Sequence, residues 1–226
     1  MDNSTDAGFA APIADLDFLR VFLPYELRLA QRRAMVSGSQ SSDGLSNSCL
    51  GLYLVRLEPM SGDWFPAPAE GGTQIGDHVR ELLTAVLRDS DIPVRIDDQE
   101  HLGVLRDLDP QHAYVVTQRF LTSAASSDLL QAASLRTRVG YVIYPLSTQP
   151  NYPPEQWATV LELARAMADR GEQVGRASGH GLLRGPNMAE TGIPESDLIP
   201  LAVRDPESLV RAGLLQIQRV HLLPDL

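Results

Sequence analysis

The chain has 226 residues, a formal net charge of −10 at pH 7 and an isoelectric point near 4.9. It contains arginine but no lysine, which excludes a P-loop lysine, a Schiff-base lysine and a polybasic membrane anchor. Its acidity argues against binding to DNA or to an anionic membrane surface. The single cysteine, Cys49, excludes an intrachain disulfide and a multi-cysteine metal site.

Residues 1–16 are polar and acidic, and no stretch approaches about 18 consecutive apolar residues. We therefore expect a cytoplasmic protein without membrane insertion. The length suits one α/β domain with extensions. We predict a flexible N-terminus at residues 1–16, a folded domain at residues 17–178 and a C-terminal extension at residues 179–226.

The first half of the chain contains helical and strand patterns in turn. Residues 18–30 have a patchy helical pattern, which Pro24 is expected to break into two pieces. Residues 50–57 form an apolar run of strand length, typical of a buried central strand. An apolar stripe then predicts a helix that starts near Asp77 and ends near Arg88.

The second half continues in the same way. Residues 110–123 have a helical pattern, and alternation with β-branched residues predicts a strand at residues 135–145. Pro153 opens the strongest helical pattern in the chain. In the extension, an amphipathic helix is expected to begin at Asp205, with its apolar stripe at Leu209, Val210, Leu214, Ile217 and Val220.

Residues 82–105 connect a helix to a β-hairpin. Turn-forming residues 89–91 follow the helix, and Pro93 favours an extended entry into the first strand at residues 94–96. A bend at residues 97–101 leads into the second strand. Arg88-x-x-Asp91 thus lies at the helix end, one strand before the bend.

This arrangement resembles the GGDEF domain, the diguanylate cyclase family. The resemblance implies an α/β (α+β) fold with a central, mainly antiparallel sheet flanked by helices, like that of nucleotide cyclases. In the family the bend reads Gly-Gly-Asp/Glu-Glu-Phe and forms part of the active site, and the upstream Arg-x-x-Asp is an inhibitory site that binds the product, cyclic di-GMP.

The resemblance also implies that the catalytic residues are degenerate. Arg56 replaces the metal-binding aspartate, Gln99 replaces the acidic residue of the bend, and Glu172 replaces a phosphate-binding lysine. Because arginine cannot ligate Mg²⁺ and a carboxylate repels a triphosphate, we expect no catalytic residue, no metal, no cofactor and no cyclase activity. The remnant of the active site comprises Arg56, Glu58, Asp77, Asp97, Asp98, Gln99, Glu100, His101, Glu172 and Arg176.

The ligand-binding signature is retained. Arg88, Asp91 and, in register on the next helix, Arg119 match the inhibitory site, and Arg95 is a lesser candidate. An arginine fork suits the O6 and N7 edge of guanine or a phosphate, and a carboxylate can accept from guanine N1 and N2. Arg-x-x-Asp also occurs at residues 95–98 and 106–109, so an ion pair at a helix end is the alternative interpretation.

The resulting hypothesis is an inactive GGDEF-like receptor for cyclic di-GMP that signals to an unknown protein partner, and a homodimer is left open. The alternative is a nucleotide-independent interaction or scaffold module that dimerises through residues 181–226. A third hypothesis is a regulatory domain that binds GTP in the old active site through Asp77 and Arg176. For Asp77, a helix N-cap is an equally good interpretation.

Overall fold

The computed structural model describes residues 14–38, 49–60, 72–171 and 177–222. The strands of this part are β1 (Cys49–Pro59), β2 (Ile92–Arg95), β3 (Glu100–Leu108), β4 (Leu135–Tyr144), β5 (Ser178–Arg184) and β6 (Leu215–His221). The helices are α1 (Leu16–Gly38), α2 (Gly72–Val86), α3 (Pro110–Ala125), α4 (Asp128–Ala132), α5 (Trp157–Arg170), α6 (Met188–Thr191), α7 (Glu195–Arg204) and α8 (Pro206–Arg211). None of these helices is both long and apolar enough to cross a membrane.

The six strands form one sheet in the order β2-β3-β1-β4-β5-β6. Every neighbouring pair is antiparallel except β4 and β5, which are parallel and are connected through α5. The mixed α/β class with a mostly antiparallel central sheet is therefore confirmed. As its apolar run predicts, β1 lies inside the sheet and pairs on both sides.

Helices cover both faces of the sheet. On one face α1, α5, α7 and α8 bury apolar stripes, and on the other α2, α3 and α4 pack over Tyr53 and Tyr141, with Phe120 of α3 against the Tyr53 ring. α5 packs closely on β4 at Gly140, where an added Cβ would lie 1.9 Å from the carbonyl oxygen of Ala164. A side chain at position 140 would therefore push the helix off the sheet.

α1 is one continuous helix of 23 residues, so the prediction that Pro24 divides it is wrong. Proline in a helix interior costs roughly 3 kcal/mol, because it removes one hydrogen bond and crowds the preceding turn. Leu19, Leu23 and Leu27 are fully buried against the sheet. Burial of this stripe outweighs the local cost, since packing supplies most of a helix's stability in a folded domain.

α2 begins at Gly72, five residues before the predicted start at Asp77. Ile75 and Gly76 are buried and extend the apolar stripe toward the N-terminus. Asp77 therefore lies inside the helix, and the N-cap interpretation is wrong. The helix ends at Val86, which places Arg88 in the turn before β2 rather than in the last helical turn.

The end of the chain differs most from the prediction. Residues 215–221 form strand β6, which pairs with β5 over its whole length, instead of continuing an amphipathic helix. The helix that starts after Asp205 ends at Arg211, and Gly213 turns the chain with a φ of 72°, which favours glycine. The predicted boundary at residues 178/179 falls inside β5, and the residues beyond it add two strands to the sheet.

Candidate functional site

The candidate site residues that the sequence indicates lie at the two opposite ends of the β2–β3 hairpin. At one end lies the bend at residues 96–99, beside the end of β1 and the first half of α2. At the other lies the α2–β2 turn, residues 88–91, beside α3. The two ends differ in how their charged side chains are paired.

Ion pairs fill the bend end. Arg56 on β1 and Glu100 on β3 are cross-strand partners, and the Nε of Arg56 donates to Oε1 of Glu100 over 2.9 Å. Arg165 on α5 donates from Nε and a terminal nitrogen to the other oxygen of Glu100, at 3.0 and 2.8 Å. Arg56 also pairs with Asp169 on α5. Glu100, which stands where the resemblance places the glutamate of Gly-Gly-Asp/Glu-Glu-Phe, is therefore held by two arginines.

The guanidinium groups of this cluster remain charged. Burial alone would lower the pKa of Arg56, but its hydrogen bond to Glu100 and the charge of Asp169 raise the pKa above its usual value. The same balance of burial against Glu100 and Glu162 raises the pKa of Arg165. The cluster is therefore a set of permanent ion pairs at neutral pH.

Glu58, next to the expected metal position, has two arginine partners of its own. Its Oε2 lies 3.1 Å from a terminal nitrogen of Arg136 and 2.6 Å from one of Arg138, both on β4. Arg138 is buried, and it is also the cross-strand neighbour of Arg56. A second carboxylate at this end is thus neutralised by arginines.

The bend itself is closed by its own residues. Oδ1 of Asp97 accepts the backbone N–H groups of Gln99 and Glu100, each over 2.7 Å, which forms a tight Asx turn. Arg95 joins the bend to α2, because one terminal nitrogen lies 3.1 Å from Oδ1 of Asp77 and the other pairs with Asp98. The carboxylate of Asp77, a candidate for recognising guanine, is therefore occupied by Arg95.

His101 takes the place of the final phenylalanine of the signature and is fully buried on β3. Burial, with a smaller contribution from the positive charge of Arg95, lowers its pKa to about 4. A neutral imidazole therefore occupies an aromatic position of the core at physiological pH.

These residues do not fit a divalent cation. Glu58, Asp77, Asp98, Glu100 and Asp169 all pair with arginine, and Arg56 projects positive charge at the expected metal position. Among the residues described, no group of three or more His, Cys, Asp or Glu side chains could hold a metal ion. Glu172 and Arg176 lie outside the described residues, so their predicted places stay predictions.

At the opposite end, Asp91 organises the α2–β2 turn. Asp91 is only 8% exposed. One of its carboxylate oxygens accepts the backbone N–H of Arg88 at 2.9 Å, and the other accepts that of Arg106, on β3, at 3.1 Å. The Asp91 N–H in turn donates to the Arg88 carbonyl oxygen over 2.9 Å. The Arg-x-x-Asp sequence thus forms a closed turn pinned to β3, with the aspartate inside it.

The side chain of Arg88 points away from this turn. It is exposed, and its only side-chain partner among the described residues is the His112 ring, with 3.1 Å between a terminal nitrogen and Nδ1. His112 begins a face of α3 that continues seven residues later at Arg119, about 10 Å along the helix axis. Arg119 is exposed and makes no ion pair within the part of the chain that the structure describes. Arg88 and Arg119 therefore share one surface.

A pocket of about 440 Å³ lies on this surface, between the end of α2 and the middle of α3. It is lined by Val86, Val115, Gln118, Arg119, Thr122 and Ser123. Arg119 is the one arginine among these lining residues, and the aliphatic carbon, hydroxyl and amide groups beside it suit a ligand that combines planar rings with anionic groups.

Most arginines of the described chain already pair with a carboxylate and are therefore not free to bind an anionic ligand. The following lie within 4.0 Å of a carboxylate: Arg20, Arg28, Arg33, Arg56, Arg80, Arg95, Arg106, Arg136, Arg138, Arg165 and Arg170. Arg88 and Arg119 have no such neighbour among the described residues. Arg95, the lesser candidate, sits at the bend end and is not part of their surface.

Sequence reasoning missed the residues that complete both ends. Arg165 and Asp169, which close the bend end, come from α5, and Arg136 and Arg138 come from β4. At the turn end, His112 and the backbone of Arg106 were not identified. In strand β4 the i, i+2 spacing of Arg136 and Arg138 placed both on one face, which was the available signal.

Comparison with known proteins gives a match to the fold but not to a sequence family. No protein-family model matches the chain, and no curated protein matches it. Among solved structures, the GGDEF domain of YfiN (TpbB) from Pseudomonas aeruginosa is 16% identical, with a TM-score of 0.52, and the match covers 74% of this chain and 95% of that domain. The GGDEF domain of DgcB from Caulobacter crescentus, solved in complex with c-di-GMP, is 13% identical, with a TM-score of 0.51, covering 79% and 96%. The chain has the fold of GGDEF domains.

Proposed function

We propose that this protein is a catalytically inactive GGDEF-like domain that binds cyclic di-GMP at the surface of Arg88 and Arg119 and reports the ligand to a protein partner. The single observation that carries the proposal is the contrast between the two ends of the hairpin. Arginines at the bend end are taken up by carboxylates, whereas Arg88 and Arg119 share a surface without such a partner.

The chemistry of this surface suits a cyclic dinucleotide. Two exposed guanidinium groups can bind phosphates or the O6 and N7 edge of guanine, and Val115 and Val86 offer apolar contact to a base. These arginines supply positive charge locally in a chain whose net charge is −10. The DgcB domain, which shares the fold, was solved with c-di-GMP, and this supports the choice of ligand.

Asp91 would contribute mainly by shaping the turn. Each of its carboxylate oxygens already accepts a backbone N–H, from Arg88 or from Arg106. Only the remaining lone pairs of these oxygens could accept a hydrogen bond from a guanine. Its role in the proposed site is to hold Arg88 at the surface, beside α3. We therefore assign the direct ligand contacts to Arg88 and Arg119.

The absence of cyclase activity follows from charge. Cyclisation of GTP needs cations, or an equivalent, on the triphosphate and the leaving pyrophosphate. The bend end offers Asp97, Asp98 and Glu100 with arginines already paired to the last two. A metal-bound triphosphate would have to break several of these ion pairs to enter.

Calorimetric titration of the full chain with cyclic di-GMP tests the proposal, with GTP as the parallel ligand. We expect saturable binding of cyclic di-GMP, weakened at least about tenfold by Arg88→Ala and by Arg119→Ala, because each removes charged hydrogen bonds. Arg204→Ala is the matched control, since Arg204 is exposed on α7 and has no carboxylate partner among the described residues. No binding by the folded protein, or equal weakening by all three substitutions, would refute the receptor.

A second candidate function is a nucleotide-independent interaction module. It is favoured by α1, on which five of the ten exposed large apolar residues of the described chain lie. A folded protein that binds a protein partner but neither nucleotide would select this alternative.

A further inference from the structure

The outer face of α1 has the spacing of a coiled-coil seam. Steps of three and four residues alternate without interruption through six positions, and every one of these residues is exposed. We call them the α1 seam: Phe18, Val21, Tyr25, Arg28, Arg32 and Met35. Four of the six are apolar or aromatic, which is unusual for the outer face of a helix that already buries a stripe on the sheet.

The seam is exposed while the rest of the helix is anchored. Val21 is 79% exposed and Tyr25 61%, whereas Leu19, Leu23 and Leu27 on the opposite face are fully buried. Val36, beside the end of the seam, is 62% exposed. The other exposed large apolar residues of the described chain are distributed over a bend, α3 and α7, so this helix has the principal apolar surface of that part.

We propose that the α1 seam binds the same seam of a second copy of this chain, with the two helices antiparallel. Centred between Tyr25 and Arg28, this arrangement places Phe18 against the partner copy's Met35 and Val21 against its Arg32. Tyr25 then lies against the partner's Arg28, where a guanidinium over an aromatic ring is attractive. The aliphatic stem of an arginine likewise covers a valine while its charged end reaches water.

The distribution of charge along α1 selects this orientation. The start of α1 carries Asp15, which caps the helix, and Asp17, which pairs with Arg20, whereas the later turns carry Arg28, Arg32 and Arg33. A parallel pair would stack Arg28 and Arg32 on their own copies and bring like charges together at both ends. An antiparallel pair places the acidic end of each helix beside the basic half of the other and also opposes the two helix dipoles.

Arg32 is suited to the intermolecular contact. It is exposed, and it makes no ion pair within the described residues, whereas Arg28 pairs with Glu155 and Arg33 with Asp107 of the same chain. Asp17 lies one helical turn before Val21, so Arg32 of the partner copy comes within reach of it, next to the Arg20 that already pairs with Asp17. The proposal does not depend on any nucleotide ligand.

The mass of the full chain in solution, measured by sedimentation over a concentration series, tests whether the seam associates. We expect a monomer–dimer equilibrium whose dissociation constant rises at least about tenfold in Val21→Arg, since the new guanidinium would lie against Arg32 of the partner copy and bring like charges together. Val203→Arg on α7 is the matched control, because Val203 is also an exposed valine of a helix. A monomer at all concentrations, or a dimer that both substitutions affect equally, would overturn the proposal.

Disulfide trapping tests the orientation, with Cys49→Ser in every variant to remove the native thiol. Phe18→Cys and Met35→Cys chains are oxidised separately and then as a mixture, and the same is done in the Val21→Arg background, in which association is weakened. The antiparallel seam predicts a covalent dimer only in the mixture, with one chain of each kind, and at least tenfold less in the Val21→Arg background. Self-linking of Phe18→Cys alone indicates a parallel pair and would overturn the proposal, as would equal linking in both backgrounds.

Discussion

Arg56 and Glu100 face each other across the pairing of β1 with β3, and Nε of the arginine donates to Oε1 of the glutamate over 2.9 Å. Arginine occupies the position at which the GGDEF resemblance expects a metal-binding aspartate. The pair therefore turns the last retained carboxylate of the signature into an internal ion-pair partner. It also joins β1 to β3 at the bend end of the hairpin.

We predict that the protein does not convert GTP with Mg²⁺ or Mn²⁺, and that Arg56→Asp does not restore activity. The restored aspartate would face Glu58 and Glu100, while Gln99 still cannot replace an acidic ligand. We expect this substitution to lower the free energy of unfolding by about 1 to 3 kcal/mol, because it removes one partner of a partly buried pair. Pyrophosphate release and urea unfolding provide the measurements. Metal-dependent turnover by either protein would contradict the account.

Asp91→Ala should destabilise the fold by about 1 to 3 kcal/mol, because it leaves the backbone N–H groups of Arg88 and Arg106 without their acceptor in a largely buried place. Asp89→Ala, two residues earlier in the same turn, is exposed and should change stability by less than about 0.5 kcal/mol. The urea midpoints of the two variants show whether Asp91, and not Asp89, holds the turn. Equal midpoints for the two would mean that Asp91 does not hold the turn.

His101 should make stability depend on pH. Because burial lowers its folded pKa to about 4, below the ordinary value near 6.5, the folded state binds fewer protons between these values. The contribution of His101 to the free energy of unfolding is fully present above pH 6.5 and is lost as the pH falls toward 4. Relative to His101→Phe, the wild-type chain should lose roughly 2 to 3 kcal/mol of unfolding free energy between pH 7.5 and 4.5.

The comparison with His101→Phe isolates this histidine from other titrating groups. Glu195 is buried, burial raises its pKa to about 7, and it changes stability in the opposite direction over part of the same range. Both proteins contain Glu195, so its effect cancels in the difference. A stability difference between the two proteins that does not change with pH would show that His101 is not desolvated in the folded state.

Strong local patterns predicted much of the fold. The apolar run of β1, the alternation of β4 and the stripe of α5 each give the element that the structure contains. β6 was predicted as helix because Leu214, Ile217 and Val220 fit a helical stripe, while pairing with β5 decides for a strand. Pro24 was overestimated as a breaker because the buried stripe of α1, which outweighs it, depends on tertiary packing.

The candidate site could be predicted only in part. The resemblance grouped Arg88, Asp91 and Arg119 as one ligand site, which stays a prediction, and the structure places Arg88 beside His112 of α3, the helix that also carries Arg119. Partners from distant segments could not be read from a single sequence. Arg165 joins Glu100 across 65 positions of the chain, and Arg106 reaches Asp91 through its backbone N–H, which has no sequence signal.

The central claim concerns which end of the hairpin receives the ligand, and hydrogen exchange measured with and without saturating cyclic di-GMP tests it most directly. The account predicts slower exchange at residues 86–92 and 110–123, around Arg88 and Arg119, with unchanged exchange at the bend, residues 95–101. The slowing should disappear in Arg88→Ala and persist in Arg204→Ala. Protection confined to the bend, or no protection anywhere in a folded protein at millimolar ligand, would contradict the account.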